Sequence, residues 1–144
     1  MRSYFLEAVL VRIVCCSVGC SPTPSNDPDS SMDEPSLQVI GGSQLPGFVR
    51  DSELPVLVEF GVDYNCPRCE QTKSDVAELG DRLDDRVKVV RVDFNSNVAM
   101  VSQLGGGVCP TYVLFDDGEP ILTRSFPLSI DLLESEIEWH VADR

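Results

Sequence analysis

The segments Val56-Leu57-Val58-Glu59-Phe60 and Asn65-Cys66-Pro67-Arg68-Cys69-Glu70 decide the fold of this chain. The first is a nearly continuous apolar run, which is typical of a β-strand that is covered on both faces. After the second cysteine, core-facing side chains recur at helical intervals, so residues 67–84 are predicted to form an amphipathic helix. Two cysteines therefore lie where a buried strand gives way to a helix.

The position of Cys66 favours a reactive sulfur. A cysteine at the start of a helix lies beside backbone N–H groups that have no partner within the helix, and at the positive end of the helix dipole. Both features stabilise a thiolate. Pro67 suits the first helical turn, where no N–H is needed, and Arg68 adds a positive charge nearby. We therefore expect Cys66 to be ionised at neutral pH.

Composition and charge restrict the class of protein. The 144 residues are enough for one domain with a hydrophobic core and too few for two of ordinary size. The formal net charge of -13 leaves no basic surface to neutralise phosphates, which argues against nucleic-acid binding. The cysteines fall into two groups, which need separate explanations: Cys15, Cys16 and Cys20, and Cys66, Cys69 and Cys109.

Residues 1–20 are similar to a bacterial lipoprotein signal, with small residues before Cys20. In that interpretation Cys20 is lipidated and the protein is exported, periplasmic or extracytoplasmic, and anchored to a membrane. An ordinary cleaved export signal and a cytoplasmic protein are the alternatives, because Glu7 and Arg12 interrupt the apolar stretch. Residues 21–36, rich in Pro, Ser and acid, are predicted to form a disordered tether, and residues 37–144 the folded domain.

The remainder of the chain predicts alternating strands and helices. Further strands are expected at residues 37–40, 87–94, 111–115 and 120–124, and helices at 43–51, at 98–104 and from Ser129 onward. Asp117-Gly118 is a hairpin signal between the last two strands. The order β, α, β, α, β, α, β, β, α predicts an α/β fold, with a central mixed sheet of about five strands flanked by four helices.

Several motifs occur together in one order along the chain. The buried strand precedes Cys66-Pro67-Arg68-Cys69, and Val92-Asp93, Cys109-Pro110-Thr111 and Asp117-Gly118-Glu119 follow. With these motifs, residues 37–142 resemble the thioredoxin family. The resemblance implies a thioredoxin-like three-layer fold. It also implies a thiol-disulfide oxidoreductase, a protein-disulfide reductase of thioredoxin type, that acts on protein disulfide or dithiol substrates and needs no bound cofactor.

The resemblance implies roles for individual residues. Cys66, expected to be the more exposed sulfur, would attack a substrate disulfide, and Cys69 would resolve the mixed disulfide, so that the two form the redox-active disulfide. Glu59 aligns with the family's buried acid, normally Asp, and would accept and return the proton of Cys69. The loop to Cys66 is one residue longer than usual, and the alternative is that Glu59 turns to solvent at the strand end.

The expected substrate-binding surface is formed by Pro67, Arg68, Cys109 and Pro110. Pro110 matches the family's cis proline, which lies opposite the cysteine pair, so that the preceding backbone can hydrogen-bond an extended substrate segment. Phe126 falls where the family usually has Gly. The substrate-binding surface is therefore expected to be altered for a narrower set of partners.

Cys109 is the unusual residue, because the family usually has Val, Ile or Thr there. It is interpreted as a small buried apolar residue, as a thiol that exchanges disulfides with Cys66, or as a ligand that joins Cys66 and Cys69 in binding Cu(I) or an iron–sulfur centre. A structural zinc site is not expected, since zinc takes four ligands and the single His is distant in sequence.

Two other functions stay open beside the oxidoreductase. One is a soft-metal-binding or delivery protein that uses Cys66, Cys69 and Cys109, and the other is a non-catalytic binding module of thioredoxin fold. An exported oxidoreductase would exchange electrons with a membrane reductase or a quinone-linked oxidase, because glutathione does not buffer that compartment. The protein is expected to be a monomer.

Overall fold

The computed structural model describes residues 36–142. The predicted signal at 1–20 with Cys20, and the tether at 21–36 apart from Ser36, lie outside these residues. None of the described helices is long and apolar enough to cross a membrane.

In the described part of the chain, five strands and four helices follow one another in the predicted order. The strands are β1 (Gln38–Val39), β2 (Val56–Gly61), β3 (Lys88–Asp93), β4 (Thr111–Asp116) and β5 (Glu119–Ser125). The helices are α1 (Leu45–Arg50), α2 (Pro67–Leu83), α3 (Val98–Gln103) and α4 (Ile130–Val141), and a 3-10 turn at Asn95–Asn97 precedes α3. The predicted fold class is confirmed, with bounds that differ by a few residues.

Strand β2 lies at the centre of one mixed sheet, whose strand order is β1-β3-β2-β4-β5. It pairs in parallel with β3, which pairs in parallel with β1. On its other side it pairs antiparallel with β4, and β4 with β5. Because Phe60 of β2 pairs with Thr111 of β4, the end of β2 lies beside the beginning of β4. This register brings the loop that leads to Cys66 next to the segment that contains Cys109 and Pro110.

The two faces of the sheet are packed by different helices. Every residue of β2 is buried, and successive side chains of a strand point to opposite faces. Val56, Val58 and Phe60 belong to an apolar cluster that includes residues of α1 and α3, here called the α1/α3 face. Leu57 belongs to a second cluster with residues of α2 and α4, the α2/α4 face. By this alternation Glu59 lies on the α2/α4 face, which is covered by the helix that contains Cys69.

Candidate active site

The cysteine pair lies at the N-terminus of α2. Cys66 is the N-cap residue, and its Sγ accepts a hydrogen bond of 3.1 Å from the backbone N–H of Cys69. Pro67 occupies the first turn, as predicted. Cys66 and Cys69 form a disulfide, with their Cα atoms 5.3 Å apart. Cys66 is partly exposed, whereas Cys69 is only 4% exposed. The structure thus has one accessible and one buried sulfur at a helix end that favours negative charge.

Asn65 sets the direction in which the chain enters α2. Its φ is 55°, in the left-handed region that non-glycine residues rarely adopt and that Asn tolerates better than most. A side chain without this tolerance would be strained by about 1–2 kcal/mol in that conformation. The residue immediately before the first cysteine is therefore suited to its backbone conformation.

Cys109 completes a cluster of three sulfurs. Its Sγ lies 3.1 Å from Sγ of Cys69 and 3.8 Å from Sγ of Cys66. The peptide bond between Cys109 and Pro110 is cis, the geometry that the resemblance implies. Burial raises the pKa of the Cys109 thiol, and the charge of Glu59 adds to this, opposed by a hydrogen bond from the Val62 backbone. Cys109 is consequently a protonated thiol at neutral pH beside the disulfide.

Glu59 is fully buried and does not turn to solvent. Its Oε2 accepts a hydrogen bond of 2.8 Å from Nε of Arg91 and lies 2.7 Å from Nη2 in the same ion pair, while Nη1 of Arg91 contacts Asp63 at 3.0 Å. The other oxygen, Oε1, has no hydrogen-bond partner within the part of the chain that the structure describes. Burial raises the pKa of the Glu59 carboxyl, against the opposing charge and hydrogen bond of Arg91. Its predicted part in proton transfer stays a prediction.

Three residues of neighbouring strands form what we call the polar row: Arg91 of β3, Glu59 of β2 and Tyr112 of β4. Both partners are in register with Glu59. Tyr112 is buried and donates a hydrogen bond of 3.1 Å to Oγ1 of Thr72 on α2. Thr72 in turn donates to the backbone carbonyl of Arg68 at 3.2 Å. Burial raises the pKa of Tyr112, so its hydroxyl stays protonated and available as a donor.

A solvent-accessible cavity of about 510 Å³ opens onto the partly exposed sulfurs. Its lining includes Cys66, Pro67, Arg68 and Cys109, together with the loop residue Tyr64, which is largely exposed. The guanidinium of Arg68 lies 5.7 Å from the centre of the Phe126 ring, within the range of a cation–π contact. The side chain that replaces the family's usual Gly thus contacts Arg68, one of the two residues between the cysteines.

The comparisons with known proteins agree with this geometry. A family model described as Thioredoxin matches residues 38–137. The chain belongs to the thioredoxin family. Thioredoxin 1 of Synechococcus elongatus is 36% identical over 93 residues, which are 65% of this chain and 86% of that protein. Thioredoxin of Rickettsia prowazekii is 30% identical over 97 residues, which are 67% of this chain and 89% of that protein.

Solved thioredoxin structures have the same fold. A mutant thioredoxin from Halobacterium salinarum has a TM-score of 0.63 and 28% identity, with 74% of this chain and 93% of that chain covered. Thioredoxin f2 of Chlamydomonas reinhardtii, at 24% identity, also has a TM-score of 0.63 and shares the fold over 72% of this chain and 95% of that chain. Family membership and the Cys66–Cys69 disulfide support a thiol-disulfide oxidoreductase in general.

The structure brings the sequence-predicted site residues of the folded domain into one region and adds others, while Cys20 lies outside the described residues. Cys66, Pro67, Arg68 and Cys69 lie at the start of α2, next to Cys109 and Pro110, with Glu59 at the end of the adjacent strand. Sequence reasoning missed Arg91, Tyr112 and Asp63. A signal for Arg91 was present, since it is a charged side chain within Val89-Val90-Arg91-Val92, a run otherwise typical of a buried strand.

Proposed function

We propose that the protein exchanges disulfides with protein substrates through Cys66-Pro67-Arg68-Cys69. The observation that carries the proposal is the disulfide at the N-terminus of α2, in which one sulfur is accessible and the other is buried. This asymmetry supports one sulfur that meets the substrate and one that reacts only within the protein. The N-cap position of Cys66 and the charge of Arg68 favour Cys66 as the thiolate.

The exchange proceeds in two balanced steps when the reduced protein meets a substrate disulfide. The Cys66 thiolate attacks one substrate sulfur, forms a mixed disulfide and releases the other substrate sulfur as a thiolate. The Cys69 thiolate then attacks Sγ of Cys66, which forms the Cys66–Cys69 disulfide and releases the second substrate thiolate. The substrate gains two electrons and the protein loses two; oxidation of a substrate dithiol is the reverse.

Glu59 is proposed to handle the proton of Cys69 during resolution. Burial has raised the pKa of its carboxyl, so that this group is nearer to the neutral range than an exposed acid would be. Its Oε1 is free of other hydrogen bonds within residues 36–142. Arg91 holds the opposite oxygen and so fixes the orientation of the carboxyl group. We class Arg91 as a positioning residue.

The surface around the sulfurs is proposed to bind an extended substrate segment. The backbone before Pro110 lies beside the disulfide, where it can pair with a substrate strand. Arg68 and Phe126 contact each other across the opening between α2 and the segment after β5. A substrate has to fit beside or displace this pair, which favours partners narrower in shape than a Gly at this position would accept.

Export and membrane anchoring through Cys20 are proposed on the sequence of residues 1–36 alone. An extracytoplasmic protein would take electrons from, or pass them to, a membrane donor or acceptor. Mass spectrometry of the mature protein from its native host is expected to find an acylated N-terminal Cys20. An unprocessed N-terminus beginning at Met1 would remove this part of the proposal.

Turnover of a protein disulfide tests the oxidoreductase function. The full chain, supplied with dithiothreitol, is expected to reduce the interchain disulfides of insulin, and Cys66→Ser is expected to react no faster than the uncatalysed mixture. The control is the full chain with Cys15→Ser, Cys16→Ser and Cys20→Ser, here called the N-terminal serine variant, which should match the parent. Equal activity of Cys66→Ser and the parent would refute the assignment and favour a non-catalytic binding module.

A further inference from the structure

The cluster of Cys66, Cys69 and Cys109 has the dimensions of a three-sulfur metal site. All three Sγ atoms lie within 4.8 Å of one another, and Cys109 is 3.1 and 3.8 Å from the other two. With a metal–sulfur bond of about 2.3 Å, the sulfurs of a trigonal site are about 4 Å apart. Small side-chain shifts after reduction are therefore enough to place the three sulfurs around one ion.

The third thiol is poorly placed for a direct attack on the disulfide. Displacement at sulfur requires the attacking atom to lie in line with the S–S bond. Its distances to the two sulfurs would then differ by the length of that bond, about 2.05 Å. The distances of 3.8 and 3.1 Å from Cys109 differ by much less. Cys109 lies beside the bond, a position that suits shared ligation better than exchange.

We propose that the reduced protein binds one Cu(I) ion through the thiolates of Cys66, Cys69 and Cys109. Soft thiolate ligands select Cu(I), Zn and iron–sulfur clusters. Among residues 36–142 the cluster contains three potential ligands and no fourth His, Cys, Asp or Glu. Structural zinc takes four protein ligands, and an iron–sulfur cluster also takes four. A three-coordinate Cu(I) ion needs only the three sulfur ligands that the cluster provides.

The surroundings contain groups that stabilise the charge of such a site and groups that oppose it. Three thiolates and one Cu(I) leave a net negative charge, which the N-terminus of α2 and the Arg68 guanidinium both stabilise. The backbone N–H of Cys69 already donates to Sγ of Cys66, a contact of the kind that orients metal ligands. Burial, Glu59 and Asp93 oppose the charge at Cys109, although Glu59 is itself paired with Arg91. The cavity lined by Cys66 and Cys109 supplies the entry path.

Metal binding and disulfide chemistry exclude each other in this arrangement. The Cys66–Cys69 bond uses two of the three ligands, so two electrons must first be supplied by a dithiol or phosphine reductant to give free thiols. Binding of Cu(I) then displaces the remaining thiol protons. The proposal rests on the sulfur geometry and not on the oxidoreductase function, and a failure of one leaves the other intact.

Anaerobic competition for Cu(I) tests the proposal on the reduced full chain. Bathocuproine disulfonate serves as the competing chelator, after the reductant has been removed. The N-terminal serine variant is expected to bind one equivalent as tightly as the parent. Loss of an outer-shell partner already costs a metal site about 10–100-fold, so Cys109→Ser in that background is expected to weaken binding by at least ~100-fold. Cys109→Val is the matched apolar variant and should behave in the same way.

X-ray absorption at the copper edge of the N-terminal serine variant gives a readout that needs no change at the proposed site. Three sulfur ligands at about 2.3 Å are expected. Coordination by two sulfurs would overturn the proposal. It would also be overturned by unchanged affinity in folded Cys109→Ser protein, by loss of binding in the N-terminal serine variant, or by Zn²⁺ displacing Cu(I) stoichiometrically. Circular dichroism checks that each variant is folded.

Discussion

The α1/α3 face and the α2/α4 face of the sheet are formed by the same strands, yet within residues 36–142 only the second carries a fully buried charged side chain. On the first, β2 presents Val56, Val58 and Phe60 to an apolar cluster. On the second it presents Leu57 and Glu59, and Glu59 pairs with Arg91. The position of Glu59 in the strand determines which face it occupies, because side chains alternate.

The two faces therefore differ in role: both stabilise the fold by apolar burial, and the α2/α4 face also carries the polar row beside the sulfurs. Apolar burial stabilises both faces, but a buried ion pair contributes little net stability, since desolvation offsets the attraction between the charges. The polar row is therefore better explained by what it does beside the sulfurs. It holds Glu59 in one orientation and connects Tyr112 to the first turns of α2 through Thr72. Substitutions on the two faces should accordingly differ in how they change the free energy of unfolding and its pH dependence.

The largest expected effect is a loss of stability on the α1/α3 face. Phe115, which is 5% exposed, belongs to the apolar cluster at the end of β4 away from the cysteines. Phe115→Ala is expected to lower the free energy of unfolding by about 3–5 kcal/mol through lost burial and a cavity. Urea denaturation measures this. Insulin reduction per folded molecule should stay at the parent level. A selective loss of that activity would contradict the claim that the α1/α3 face contributes to stability and not to the chemistry.

An intermediate effect on stability is expected for Glu59→Gln on the α2/α4 face, and it should be visible in how stability depends on pH. The carboxyl pKa is raised from 4.5 in the folded protein, so the folded state binds the proton more tightly than the unfolded state. Proton binding by Glu59 therefore contributes to the free energy of unfolding. The contribution is complete below pH 4.5 and is lost as pH rises through the folded pKa, by about 1.4 kcal/mol for each unit by which the folded pKa exceeds 4.5. The parent should lose stability relative to the variant over that window.

Urea denaturation of the oxidised forms at a series of pH values measures the difference. Comparing parent with variant removes the opposite contribution of groups such as Glu134, whose pKa is lowered by Arg82. Gln at position 59 retains an oxygen that can accept from Arg91, so the variant should remain folded. Parallel stability curves for the two proteins would show that Glu59 has an ordinary pKa.

The smallest expected effect comes from the hydroxyl at the end of the polar row. Tyr112→Phe removes the hydrogen bond to Thr72, which should cost about 1 kcal/mol of unfolding free energy. Thr72 keeps its own bond to the Arg68 carbonyl, so the start of α2 should stay in place. Tyr64→Phe, at a side chain that is 83% exposed, is the control and should change stability by less than about 0.5 kcal/mol. Equal effects at both positions would contradict the role of the buried bond.

The parts of this structure that local sequence dictates were predictable. The apolar run before Cys66 predicted β2, and the helical spacing after Cys69 predicted α2. The start of α4 was correctly placed at Ser129, which is its N-cap residue, although the Ser129 side chain makes no capping hydrogen bond. A suitable residue type thus indicates where a helix begins more readily than it indicates which contact the side chain makes.

The contacts of the site depend on strand register, which no local pattern encodes. Glu59 and Arg91 are 32 residues apart and meet because β2 and β3 pair in parallel in one register. Cys109 reaches Cys69 across 40 residues through the pairing of β2 with β4. Family resemblance predicted that Cys109 faces the pair. It could not predict Arg91, Asp63 or the contact of Arg68 with Phe126, because these depend on residues particular to this chain.

Trapping the mixed disulfide is the most direct test of the proposed chemistry. Cys69→Ser, made in the N-terminal serine variant, leaves Cys66 and Cys109 as the available thiols. After brief reaction with a protein disulfide and acid quenching, peptide mapping should find the substrate bonded to Cys66. A substrate bonded to Cys109, or no covalent complex from folded protein, would contradict Cys66 as the attacking sulfur.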